Sequence, residues 1–424
     1  MDKQYLVTER AHFMCPNMYF GILATIPKAF DSDKAQLTLN DLASAHPFLR
    51  STIAYDTDDI RLYYHIHKES KIEVHTMPNV TDVSTNGPIW KHYKAIGMKE
   101  WNVFQNGLLK VFFYPSNENF QVLLIAHHLL GDGRAIQQLI CEFADCYIEK
   151  KKPAYVEEHL IQSESDLPNG SQLPFTSSYI VKRANKQWKK EQHRVSYEAY
   201  ATFSDNFALQ QPIGYERRTL KEDEVKGMIQ QCKEYEVSVN DFLMTNLFHA
   251  AKTKKIIMAF DIRSQLTCYQ KGAMGNYASA LGIIYNGKNK NFVKRVKEVH
   301  ARIKASKENN KKLMLVLSCY LNMDPTLLDA AAISGMKGYS SKAAAFVGNG
   351  MFGMDKREGI SITNLGSILN PNLLEATFIP PASPAAKYTV GVLTVNNRMN
   401  LCSSYYMSEV SSTEAKTYLE QITC

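Results

Sequence analysis

The chain has 424 residues, 45% apolar and 21% charged, with a formal net charge of +7 and eight cysteines. This length suits one large two-layer unit or two ordinary domains, and the balance excludes wholesale disorder. The positive excess is weaker than dedicated nucleic-acid binders carry, and no apolar run reaches the roughly 18 residues of a membrane span, so neither class is expected.

The first residues, MDKQYLVTERAHFMCPNM, are broken by charges and hold no apolar core of signal-peptide length. The cysteines are scattered, with no C-x-x-C pair, so neither a zinc site nor a disulfide framework is expected and the setting reads as a reducing cytoplasm. Leu37, Leu39, Leu42 and Ala45 give a helical stripe that Pro47 ends, and strand-like alternation follows in IRLYYHIH. LLKVFFYPSNENFQVLLIAHH reads as a hairpin turning at Pro115–Asn119. After Gly133 a helix places Ile136, Leu139, Ile140, Phe143 and Tyr147 on one face.

Residues 151–178 are broken by Pro, Gly and Ser and read as a crossover. The second half opens with a basic helix carrying Lys182, Arg183, Lys186, Lys189 and Lys190. Helices at 222–235 and 241–252, strands KIIMAFDIR and SALGIIYNG, helices within 291–336 and a Gly/Ala/Ser-rich loop at 337–353 come next. The strand GISITNLG, a hairpin at 388–407 and a helix at 412–421 finish the chain. Mixed strands and helices throughout point to an α/β (α+β) fold with two subdomains, residues 1–165 and 166–424.

One stretch carries chemistry: LLIAHHLLGDGRAI, residues 123–136. In a strand, His127 and His128 point to opposite faces, which argues against a shared metal site. Imidazole titrates near neutral pH, so one of the pair suits a general base. Asp132 is a natural partner for an arginine, and Gly133 opens a helix whose positive end favours developing negative charge. A bare histidine pair is more often structural than catalytic; H-H-x-x-x-D-G between a buried strand and an amphipathic helix is the context a catalytic turn requires.

HHLLGDG resembles the HHxxxDG signature of an acyltransferase superfamily. Its members include chloramphenicol acetyltransferase, nonribosomal peptide condensation domains, plant BAHD acyltransferases, alcohol acetyltransferases and polyketide-associated acyltransferases. LASAHPFLRSTI (42–53), SVNDFLMTNLFHA (238–250), FDIRSQL, GNYASALGI (275–283) and ISITNLG (360–366) resemble further segments of the same enzymes, in the same order. The resemblance implies two chloramphenicol-acetyltransferase-like subdomains in a V-shaped pseudo-dimer with a central tunnel. It implies His128 as general base, His127 as its structural neighbour, and Asp132 paired with Arg263 from the second half. The reaction implied is acyl transfer from a thioester to a hydroxyl or amine, with Gly133 N–H at the developing oxyanion. Ser361, Thr363, Asn364 and Asn276 are candidates for oxyanion or substrate contact. No metal and no permanently bound cofactor is implied; acyl-CoA or a phosphopantetheine thioester arrives as co-substrate.

The chain lacks the D-F-G-W-G run of the plant enzymes and any G-x-D-S-L carrier site, so it reads as a stand-alone catalyst. The leading function is an acyl-CoA-dependent acyltransferase acting on a small-molecule acceptor. A free-standing condensation enzyme fed by an acyl carrier protein is the alternative, and salt-sensitive binding of an acidic carrier separates the two. A catalytically silent binding module and a metal-dependent hydrolase stand further off. The loops MKGYSSKAAAFVGNGMFGMD and FIPPASPAAKY are candidates to line or cover the tunnel. A pseudo-dimer already holds both halves of its site, so a monomer would suffice.

Overall fold

The computed structural model describes residues 3–80, 82–192, 194–287 and 289–424. The apolar runs become strands: β1 (Tyr19–Ile26), β2 (Ser51–Tyr55), β3 (Leu62–Ile66), β4 (Glu73–Thr76), β5 (Leu109–Pro115) and β6 (Phe120–His127) in the first part. After the crossover follow β7 (Ile213–Leu220), β8 (Lys255–Asp261), β9 (Ala278–Ile284), β10 (Gly359–Ile368), β11 (Glu375–Ile379), β12 (Ala386–Val395) and β13 (Arg398–Tyr406). One sheet has the order β11-β1-β6-β5-β4 and another β7-β13-β12-β10-β8-β9, while β2 and β3 form a separate pair.

β6 lies between β1 and β5, so both its edges are paired, and its continuous apolar run VLLIA is buried throughout. The β5–β6 hairpin turns where Ser116 N–H donates to Asn119 O at 3.0 Å. β11 arrives from far along the chain to pair antiparallel with β1, Gly21 facing Ile379 and Thr25 facing Glu375. In the larger sheet β10 runs parallel to both β12 and β8.

The helix Gly133–Glu149 buries Ile136, Leu139, Ile140, Phe143 and Tyr147, the stripe read from the sequence. The helices Glu222–Glu234, Val239–Ala250 and Ser412–Ile422 lie close to their expected bounds. The crossover carries only a short 3-10 turn at Glu164–Asp166 before the basic helix, Phe175–Glu191. The last residue read into that helix, His193, lies outside the described residues.

The loop expected at 337–353 contains the helix Lys342–Gly348, capped where Ser341 Oγ accepts from Ala344 N–H. Three consecutive alanines after a serine cap outweigh the flanking glycines. The helices Pro88–Ile96 and Tyr197–Gln210 and the strands β4, β7 and β11 add to the elements expected from the sequence. Among the described residues no helix is long and apolar enough to cross a membrane.

Candidate active site

β6 ends at His127, so the strand alternation stops just before His128. His128 N–H donates to Met18 O at 2.8 Å, and Leu130 N–H closes the turn on His127 O at 2.9 Å. The two imidazoles therefore occupy different surroundings. His127 is buried edge-on to Trp101, and its Nδ1 accepts from Leu129 N–H at 3.2 Å. Burial, with His128 adding to it, pushes the His127 imidazole down to about 3, so this ring is neutral.

Asp132 caps the helix that begins at Gly133, accepting from Ala135 N–H at 3.1 Å. The same carboxylate accepts from Arg263 Nη2 at 2.7 Å and from Tyr277 N–H at 2.9 Å. Asp132 N–H donates to Gly275 O at 3.1 Å, so this one residue laces the turn to the β8–β9 connection through three separate bonds. Gly275 has φ +142°, and a Cβ there would stand 2.8 Å from Leu160 Cδ2. Both members of the Asp132–Arg263 pair are largely buried. Burial opposes the Asp132 charge, but Arg263 and the two N–H donors hold the carboxyl below its usual range. Gly133 has no room for a side chain: a Cβ would lie 2.8 Å from Leu365 Cδ2 and 3.2 Å from Phe378 Cζ.

Asn276 sits two residues before β9 and engages His128 twice. Its Nδ2 donates to His128 O at 2.8 Å, which leaves Oδ1 facing His128 Nδ1 at 2.9 Å. An amide oxygen only accepts, so the proton sits on Nδ1 and the lone pair on Nε2. Burial lowers the His128 imidazole below its usual value, against the pull of Asp132 and Asn276. One face of His128 is covered by His12, stacked at 4.3 Å between ring centroids and 18° between planes, and Phe20 meets it edge-on at 5.0 Å. Burial, then His128 and His127, lower the His12 imidazole well below its usual value. The segment bearing His12 is a four-residue helix, Arg10–Phe13, held by a buried pair of Arg10 with Asp329 (2.6 and 2.5 Å). Nothing in RAHFM marks His12, since the contact spans 116 residues without local periodicity.

A cavity of about 750 Å³ opens beside this turn, with His128, Asp132, Gly133 and Arg263 in its wall. Of the β10 candidates, Thr363 and Asn364 line it. Ser361 is bonded to Thr389 Oγ1 at 2.8 Å, and neither it nor Asn276 is among the lining residues. Pro381 of the FIPPASPAAKY segment lines the cavity, while no residue of 336–355 does. Another stretch of wall comes from the helix Phe292–Lys307, whose His300, Lys304 and Lys307 lie at i, i+4 and i+7. His300 Nδ1 lies 2.8 Å from the buried carboxylate of Asp241. That helical spacing was present in HARIKASK but had no partner signal to single it out. Among the described residues no three His, Cys, Asp or Glu side chains converge as metal ligands.

The condensation-domain family model matches residues 17–311. A plipastatin synthase of Bacillus subtilis (strain 168) is 28% identical over 130 residues, 30% of this chain but only 3% of that protein. The chain thus spans a small fraction of that relative's length. The first condensation domain of the calcium-dependent antibiotic synthetase superposes with a TM-score of 0.62 at 10% identity, covering 100% of this chain and 95% of that one. The trichothecene 15-O-acetyltransferase TRI3 of Fusarium sporotrichioides gives 0.61 at 11% identity, covering 98% and 91%. The fold is therefore the α/β pseudo-dimer of chloramphenicol-acetyltransferase-like halves.

Proposed function

Because the chain belongs to the condensation-domain family, we propose that it transfers an acyl group from a thioester to a hydroxyl or amine with His128 as general base. The observation that carries this is the locked tautomer of His128 in the cavity wall: Nδ1 tied to Asn276, Nε2 left with its lone pair. His128 Nε2 takes the acceptor's proton as its oxygen or nitrogen attacks the thioester carbonyl carbon. The carbonyl oxygen becomes an oxyanion, and the N–H of Gly133, at the first position of the helix, has no acceptor within the helix and suits it. Thr363 and Asn364 line the same cavity. Collapse breaks the C–S bond, and the proton held by His128 passes to the leaving thiolate. Asp132 and Arg263 touch no reacting atom in this scheme; they fix the turn.

The donor is acyl-CoA or an acyl group on a carrier protein's phosphopantetheine. Membership of the condensation-domain family is compatible with a carrier-bound donor. The resemblance to an O-acetyltransferase fold is compatible with free CoA. Lys304, Lys307 and His300 in the cavity wall suit the phosphate of either. The thioester serves as co-substrate rather than as a permanently bound cofactor, a monomer would suffice for the reaction, and the eight free cysteines fit the cytoplasm. The test is thiol release across a panel of acyl-CoAs and acyl carrier proteins with alcohol and amine acceptors. Turnover with one donor class assigns it, and no turnover with either, across the panel, contradicts the function.

A further inference from the structure

The basic helix Phe175–Glu191 contributes nothing to the cavity. Its inner side is apolar: Val181, Ala184 and Trp188, at i, i+3 and i+7, are buried against a cluster that includes Leu327, Ala343 and Val347. The outer side carries Phe175, Tyr179, Lys182, Lys186 and Lys189 at i, i+4, i+7, i+11 and i+14, flanked by Arg183 and Lys190. All seven are exposed, Phe175 at 88% and Tyr179 at 61%. The helix has one carboxylate, Glu191, and it is taken up by Ser341 Oγ at 2.6 Å and Ala343 N–H at 3.0 Å. Among the described residues none of the five cations is ion-paired.

Two features of this face are unfavourable in water. Like charges three and four residues apart repel, and two aromatic rings one turn apart have no apolar cover. A plane of anionic headgroups above an apolar interior relieves both at once. An acidic folded protein would answer the charges but would need a shaped pocket for each ring, whereas the fluid boundary of a bilayer takes the rings without one. Lys182, Asn185, Lys186, Lys189 and Lys190 also line a shallow groove, whose donors match a phosphate headgroup.

We propose that this helix docks the protein on an anionic lipid bilayer. The five cations sit at the level of the phosphates, and Phe175 and Tyr179 enter the boundary between headgroups and acyl chains. The proposal stands apart from the acyl-transfer reading, because none of these residues lines the cavity.

Flotation of the full chain with vesicles tests it, using phosphatidylcholine alone against phosphatidylcholine with phosphatidylserine. The chain should float with the anionic vesicles only, and progressively less as salt rises. Each lost positive charge should weaken binding about fivefold, so K182Q/K186Q/K189Q should lose on the order of a hundredfold and K182E/K186E/K189E more. F175A/Y179A should bind more weakly at every salt concentration. All three variants should keep the wild-type melting temperature and, with soluble substrates, the wild-type thiol-release rate. No binding of the wild type to anionic vesicles at low salt overturns the proposal. So does undiminished binding by the lysine variants or by F175A/Y179A, or capture of an acidic carrier protein without any vesicle binding.

Discussion

The two adjacent imidazoles differ because the strand ends between them. His127 keeps its place in the sheet and is driven neutral by burial. His128, in the turn, keeps a hydrogen-bonded tautomer and access to the cavity. As the proposed base must be neutral to accept a proton, and its folded value lies below the ordinary imidazole range, the acid limb of kcat/KM should fall below pH 6.5. A pH–rate profile checks this; a limb above that value would contradict it. Asn276→Asp should move the limb upward, since a carboxylate beside Nδ1 favours the imidazolium. Asn276→Ala should cut kcat about tenfold or more by freeing the tautomer, with KM little changed. Arg263→Ala leaves the Asp132 charge buried without its cation, so a loss of about 3–5 kcal/mol in chemical denaturation is expected. His128, Asp132 and Arg263 were legible because a motif and a resemblance named them. His12 was not, because only the fold brings the turn around Arg10 against residue 128.

At the scale of elements, the crossover holds a titratable group that is not part of the proposed chemistry. Glu158 is wholly buried, with His46 Nδ1 3.9 Å from its carboxylate. Burial pushes its carboxyl up to about 9 from an unfolded value of 4.5. A raised carboxyl contributes its full stability below pH 4.5 and loses it as pH rises towards 9, because the unfolded chain ionises first. Glu158→Gln removes that dependence, so it should raise stability at pH 9 by on the order of a few kcal/mol and leave it unchanged at pH 4. Denaturant midpoints at the two pH values check the sign. Long elements with a full apolar face, such as Gly133–Glu149 and β6, were readable from periodicity alone. The stretch 337–353 was misread because glycines hid an alanine helix, and β11 was missed because five residues between proline-containing loops are too short to show alternation.

At the scale of the molecule, the first sheet borrows its edge. β11 covers β1, so a first half ending at residue 165, the boundary proposed from the sequence, lacks a strand of its own sheet. The isolated fragment 1–165 should therefore fail to melt cooperatively, while the full chain does; a sharp transition in the fragment would contradict this. The mixed strands and helices of both halves were legible in the sequence. The exchange of one strand was not, because it depends on pairing across some 350 residues.

The most direct test of the central claim is single-turnover acyl transfer, followed by thiol release with the donor that supports turnover, comparing wild type with His128→Ala. The mutant should fold normally and bind donor, yet lose all but a residual fraction of the rate, about a hundredfold or more. A mutant that transfers acyl groups at the wild-type rate would show that His128 is not the base.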